Sequence, residues 1–161
     1  MLSPRTILPL GLLFTLGCAT GGGTGSAPAA SPSSIEAEAR AFMEGYAEDL
    51  RAGNRDGIVA RYDARGAWIV FQGERRFLPL DAIRARYHGG WTQPHAFEWR
   101  ELAYEPAGPD AVAVVGGFLW ITSPADTSRF SYTAHLARGD NGLRIRIENE
   151  TAEPRPGSSS R

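Results

Sequence analysis

The chain has 161 residues, and its charges nearly balance: 17 arginines and no lysine stand against 18 acidic residues, for a formal net charge of −1 at pH 7. All 18 acids but only 14 of the arginines fall within residues 35–153, so this segment is acidic and lacks the positive charge on which nucleic-acid binding depends. The single cysteine, Cys18, excludes a disulfide within one chain.

The first 17 residues have the pattern of an export signal. Arg5 supplies a positive charge, and the apolar stretch from Ile7 to Phe14 is far shorter than the roughly 20 residues that a membrane-spanning helix needs. The residues before and including Cys18 read Thr-Leu-Gly-Cys and resemble the lipobox of bacterial lipoproteins. That resemblance implies cleavage before Cys18 and a lipid anchor in the bilayer of the cell envelope, on its extracytoplasmic side. An ordinary secretory signal is the alternative.

Two further segments have compositions that do not favour folding. Residues 18–34 are uncharged and rich in Gly, Ser, Ala and Pro, which predicts a flexible tether after the lipidated cysteine. Residues 154–161 predict a disordered tail for the same reason. In lipoproteins an aspartate after the cysteine retains the protein at the inner membrane. Ala19 stands there instead, which implies the outer membrane where a cell has one. Residues 35–153 remain as one domain.

The first half of this domain predicts three helices and one strand. Apolar residues recur with a helical period from Ile35 until Gly53, after a capping-box spacing of Ser33 and Glu36. Asn54 can cap a second, shorter helix. The apolar run of residues 67–71 predicts a strand, and residues 81–89 predict a third helix.

From His95 onward the hydrophobic period changes to two, which predicts four antiparallel strands joined by turns. With Asn141-Gly142 as the last turn, Leu136 lies opposite Ile147. Strict alternation then places Ile147 on the core face, and His135 and Glu148 on the opposite face. Helices followed by a strand meander predict an α+β domain with its helices on one face of the sheet.

One strand, residues 111–123, is apolar at both odd and even positions. This pattern predicts that both of its faces are covered, one by the helices and the other by a second subunit. We therefore expect a homodimer that pairs through the sheet face.

Three stretches resemble the nuclear transport factor 2-like superfamily, which includes ketosteroid isomerases and SnoaL-like polyketide cyclases. They read AFMEGYAEDLRAGNRDGIVARYDARGAWI, PLDAIRARY and LRIRIENET, at residues 41–69, 79–87 and 143–151. The resemblance implies a cone-shaped, bent antiparallel sheet wrapped around three N-terminal helices, with an apolar pocket open at one end.

The resemblance also suggests where catalytic residues would lie. In the isomerases the general base is an acid on the strand after the second helix, but residues 68–71 carry no ionisable side chain. We therefore predict an apolar pocket with no carboxylate at its base, which binds a small apolar or amphipathic ligand without assured catalysis. The predicted pocket residues are Tyr46, Trp68, Val70, Trp91, Trp99, Phe118, Trp120 and Tyr132.

Two alternatives stay open. One is a cyclase-, dehydratase- or isomerase-like enzyme, for which the resemblance suggests Tyr46, His135 and Glu148 as weak catalytic candidates. The other is a protein-interaction module of the cell envelope. We predict no cofactor, and no metal site at His88, His95 and Glu98, because the two histidines lie seven residues apart across a Gly-Gly turn and match no known ligand spacing.

Overall fold

The computed structural model describes residues 34–154. The predicted signal peptide, Cys18, almost all of the tether and nearly the whole tail lie outside these residues. Within residues 34–154, no helix combines the length and the hydropathy needed to cross a bilayer.

Three helices form where the sequence predicts them: α1 at Ser34–Ala52, α2 at Arg55–Ala60 and α3 at Leu80–Gly89. Gly53 ends α1 with a positive φ of 66°, and the Asn54 side chain then accepts a hydrogen bond from the Gly57 amide to begin α2. One face of α1 is buried over its whole length. Its buried residues are Ile35, Ala39, Phe42, Met43, Tyr46, Ala47 and Leu50.

The helices pack on one face of a six-stranded sheet whose strand order is β2-β1-β6-β5-β4-β3. The strands are β1 at Ala67–Phe71, β2 at Glu74–Leu78, β3 at Ala96–Pro106, β4 at Ala111–Ser123, β5 at Asp126–Gly139 and β6 at Gly142–Ala152. The predicted α+β class is confirmed, but the sheet is mixed, because β1 pairs in parallel with β6. Strand β2 was not predicted, because its sequence, ERRFL, has no alternating hydrophobic pattern. Its residues are largely exposed.

A bulge bends the sheet on the β3 side. The register between β3 and β4 shifts between Arg100 and Ala103, and Glu101 takes a positive φ of 50°. Gly116 lies opposite this bulge, where an added Cβ would come within 2.8 Å of the Arg100 carbonyl oxygen. A larger residue there would push β3 away, so the close approach requires glycine.

A second bulge reverses the faces of β6. Gly139 pairs with Gly142 around a turn of two residues, so Leu136 lies opposite Ile145 and not opposite Ile147 as predicted. His135 then pairs with Ile147, which leaves Arg146 without a partner in the ladder.

Because of the extra residue, each later residue of β6 points to the face of the sheet opposite to the predicted one. Ile147 is 43% exposed and Glu148 only 3% exposed, so the prediction that placed Ile147 in the core and Glu148 on the opposite face was wrong. The Arg146 side chain reaches the loop before β1, where it contacts the Asp63 carboxylate at 2.7 Å and donates to the Gly66 carbonyl at 3.1 Å. This contact across the chain stabilises the bulge.

The outer face of the sheet, away from the helices, carries several exposed apolar side chains. They are Trp68, Phe77, Val115 and Ile147. His135 lies half-buried on the same face, between the buried inward-facing Ala134 and Leu136. Pairing of two subunits through this face stays a prediction.

Candidate ligand-binding site

A cavity of about 200 Å³ opens between the helices and the inner face of the sheet. Its walls are mainly aromatic, and a few polar groups project into it. The lining residues are Tyr46, Leu50, Phe71, Arg86, Tyr87, Trp91, Phe97, Trp99, Phe118, Trp120, Phe130 and Glu150. We call this space the aromatic pocket. Apolar walls with a few polar groups are typical of small-molecule sites.

Contacts between rings fix the walls of the aromatic pocket. Phe118 stacks on Phe130 with centroids 4.7 Å apart, and Phe97 meets Trp99 edge-on at the same distance. The Trp99 indole also donates a hydrogen bond to the Met43 carbonyl at 2.9 Å, which ties β3 to α1. Each ring pair adds about 0.5–1.5 kcal/mol of stability beyond that from the area it buries. These contacts hold the rings in place, so the cavity is preformed.

Five of the eight predicted pocket residues line the cavity: Tyr46, Trp91, Trp99, Phe118 and Trp120. Tyr132 lies beside it, with its ring 4.8 Å from that of Trp99.

Trp68 and Val70 point the other way, because β1 turns Ala67 and Ile69 towards the core. Trp68 is 47% exposed and packs against Phe77 on the outer face.

The base of the domain interior holds a carboxylate, contrary to prediction. Glu148 accepts hydrogen bonds from Tyr62 at 2.5 Å, Tyr132 at 2.9 Å and Tyr46 at 3.3 Å. Tyr87 completes the cluster, with its hydroxyl oxygen 3.0 Å from that of Tyr62 and 3.4 Å from that of Tyr46. These five residues form what we call the tyrosine–Glu148 network. It joins α1, α3, β5, β6 and the segment before β1.

The pKa values of the network's side chains indicate which groups donate its hydrogen bonds. Burial raises the pKa of all four tyrosines, so they remain neutral phenols that donate. Three of the four phenolic protons are directed at Glu148, whose own pKa burial raises while the hydrogen bonds from Tyr62 and Tyr132 oppose the rise. The Tyr87 proton is not used by the carboxylate. It is donated instead to the hydroxyl oxygen of Tyr62 or Tyr46, so Tyr87 offers the aromatic pocket its ring.

Glu150 follows two residues after Glu148 and therefore shares its inward face. Its half-buried side chain lines the aromatic pocket. Among residues 34–154, no hydrogen bond or ion pair is made to its carboxyl group. Burial, together with the charge of Glu148, raises the pKa of Glu150 to about 8, and Arg86 opposes the rise. A carboxyl group left unpaired in an apolar wall lowers stability, which is typical of functional sites.

Two further polar side chains, Asp63 and His88, lie apart from the aromatic pocket. Asp63 is buried and paired with Arg65 at 3.0 Å and with Arg146 at 2.7 Å, and these contacts hold its pKa below the usual range against the effect of burial. His88 contacts Asp56 on the surface at 3.2 Å. Among the described residues, no group of three or more His, Cys, Asp or Glu side chains could hold a metal ion.

No protein-family model matches the sequence, and no curated protein matches it. Solved structures do match. An NTF-2 like protein of unknown function from Shewanella oneidensis has a TM-score of 0.65 at 16% identity, over 71% of this chain and 97% of that one. An NTF2-like protein from Cytophaga hutchinsonii has a TM-score of 0.60 at 12% identity, over 71% and 95%.

A third similar structure is described as a candidate ketosteroid isomerase, from Parabacteroides distasonis. It has a TM-score of 0.61 at 13% identity, over 73% of this chain and 86% of that one. At these identities the likeness shows the fold alone. Residues 34–154 therefore have the nuclear transport factor 2-like fold.

We expect Glu150→Gln to stabilise the domain in a pH-dependent way. Between the usual pKa of 4.5 and about 8, the unfolded chain has lost the Glu150 proton while the folded chain keeps it. The stability of the wild type therefore falls as pH rises through this window and is constant above it. Urea unfolding should show a gain for the variant that grows to about 2–4 kcal/mol at pH 8, since one pKa unit is about 1.4 kcal/mol and partial exposure reduces the total.

The matched control is Glu98→Gln, on the exposed outer face of β3. A gain for Glu150→Gln that is equal at pH 5 and pH 8, or no larger than that of the control, would contradict the burial of an unpaired carboxyl group.

Proposed function

We propose that this nuclear transport factor 2-like domain binds a small, flat, mostly apolar molecule that carries an oxygen-containing functional group. The observation that carries the proposal is the aromatic pocket itself, an open and preformed cavity lined by the Glu150 carboxyl group, which has no hydrogen bond or ion pair among residues 34–154. Rings of Trp91, Phe97 and Trp120 offer flat surfaces against which another ring can pack.

Size limits the ligand. An apolar cavity of about 150 Å³ holds benzene, so about 200 Å³ suits one substituted ring, with any larger part extending through the open side. Polarity limits it further. Glu150, largely protonated below its pKa of about 8, can donate a hydrogen bond to a ligand oxygen.

Replacing one wall of the aromatic pocket tests the proposal. Isothermal titration of neutral aromatic compounds such as acetophenone, benzyl alcohol and 2-naphthol should give saturable binding to the wild type. Trp91→Ala should weaken that binding by about tenfold or more, because the variant loses a large apolar contact surface.

Trp68→Ala is the matched control, since Trp68 is the indole on the outer face of the sheet. Both variants should keep the circular dichroism spectrum of the wild type, and only Trp91→Ala should bind less well. Equal losses in the two variants, or no binding of any compound by the wild type, would refute the proposal.

Acid–base catalysis is the second candidate function, and Glu150 favours it. As a carboxylate it can take a proton from a carbon next to a ligand carbonyl group. A pKa of about 8 is close to working pH, where a general base is most effective. Among the earlier candidates, Glu148 is enclosed by phenols and His135 faces away.

Deuterium exchange tests this candidate. Wild-type protein in D₂O should exchange the methylene protons of phenylacetone faster than buffer, and the rate should rise as pH passes through about 8 and Glu150 ionises. The Glu150→Gln variant should lose the enhancement, and Glu98→Gln should keep it. An exchange rate equal to that in buffer would eliminate catalysis of this kind.

We further propose that a lipid anchor at Cys18 holds the domain in the cell envelope. The support is the lipobox-like sequence, together with the position of the aromatic pocket on α1. Leu50 lines it, 16 residues or about 24 Å along the helix from Ser34, where the chain enters. The pocket therefore lies towards the C-terminal half of α1, away from Ser34. Mass spectrometry of protein from its native membrane should find acyl chains on an N-terminal Cys18, and an unmodified N-terminus beyond it would disprove the anchor.

A further inference from the structure

A second cavity adjoins the aromatic pocket. It measures about 310 Å³ and lies between α3 and the inward face of the β1–β2 hairpin, where Ile69 and Leu78 form its apolar part. Phe71 and Arg86 line both spaces, so they form the boundary between them. A ligand whose ring occupies the aromatic pocket can therefore extend past Arg86 into this second cavity.

Arg86 attracts the carboxyl groups of Glu148 and Glu150 electrostatically but contacts neither of them directly. Among residues 34–154, no hydrogen bond or ion pair engages its guanidinium group, whereas Arg84, two residues earlier on α3, pairs with Asp56 at 3.0 Å. Arg76, which also lines the second cavity, is already paired with Glu74 at 2.7 Å. Arg86 is therefore the cation that both cavities leave available to a ligand.

We infer that Arg86 makes this site selective for anionic ligands, with an aromatic ring in the aromatic pocket and a carboxylate at the boundary between the two cavities. The inference rests on the proposed ligand-binding function and gives it a substrate class, aromatic carboxylates. The guanidinium fork donates two parallel hydrogen bonds to a carboxylate, an arrangement that a neutral amide cannot match.

The charged and titratable groups around this position agree with an anion. From α3 come Arg86 and Tyr87, from α1 Tyr46, from β6 Glu148 and Glu150, and from β2 the paired Glu74 and Arg76. Glu148 already accepts three phenolic protons. Protonated Glu150 can donate to the ligand carboxylate, so the anion meets the Arg86 cation and one neutral donor, while the phenols already hydrogen-bond the Glu148 carboxylate.

An isosteric pair of probes tests the inference: trans-cinnamate and its neutral amide, cinnamamide, titrated calorimetrically at pH 7. The wild type should bind cinnamate roughly tenfold or more tightly than the amide. In Arg86→Gln this preference should disappear, with the affinity for the amide changed less than about twofold. Arg84→Gln, on the same helix but outside both cavities, should keep the preference, and Arg86→Lys should keep part of it.

The outcomes separate this inference from the function on which it rests. Equal binding of the two probes by the wild type, or a preference for cinnamate that survives Arg86→Gln, would overturn the anion selectivity while leaving the aromatic pocket as a binding site. Failure of both probes and of the neutral aromatic compounds to bind would overturn both. Circular dichroism of each variant establishes that it is folded.

Discussion

The buried carboxylate of Glu148 is the constraint on which the rest of the domain depends. Removing a carboxyl group from water costs several kcal/mol unless its oxygens are hydrogen-bonded, and here three phenols supply those bonds. Because the phenols come from separate elements, satisfying one carboxylate also fixes α1 and the segment before β1 against the sheet, and Tyr87 ties α3 to the same phenols. A half-satisfied cluster would be worse than an apolar one, so the elements are held together as a set.

The same network explains why the neighbouring space is hollow and partly polar. Tyr46 and Tyr87 present their rings to the aromatic pocket while their hydroxyl groups belong to the network. Among residues 34–154 the side chains of Glu150 and Arg86 have no hydrogen-bonding partner, and burial of the unpaired Glu150 carboxyl group lowers stability. Groups of this kind, left unpaired where the rest of the interior is satisfied, distinguish a binding site from a core that is merely incompletely packed.

The fold was predictable because its signals are local. The helical spacing from Ile35 to Leu50 and the alternation in the later strands each depend on a few neighbouring residues, and they sufficed for the element order. Strand β2 was missed because an exposed edge strand needs no apolar pattern. The parallel pairing of β1 with β6 joins distant parts of the chain, and no nearby residue marks it.

The site was predicted less well, for one physical reason. Ile145, Arg146 and Ile147 look like a regular strand, yet the bulge at Arg146 reverses every face after it. What stabilises the bulge is the contact of Arg146 with Asp63, more than 80 residues earlier, and no local pattern shows such a contact. The absence of an acid on β1 was therefore a poor guide, because the acids of this interior come from β6.

Direct titration of the interior carboxyl groups tests the central claim, that Glu148 and Glu150 lie inside the domain. The measurement is ¹³C NMR of protein labelled at the glutamate side-chain carboxyl carbons, with the two resonances identified from the Glu148→Gln and Glu150→Gln variants. We predict that both titrate above the usual range for glutamate, with the midpoint of Glu150 near 8. Titration of both near 4.5 would place them in water and contradict this prediction.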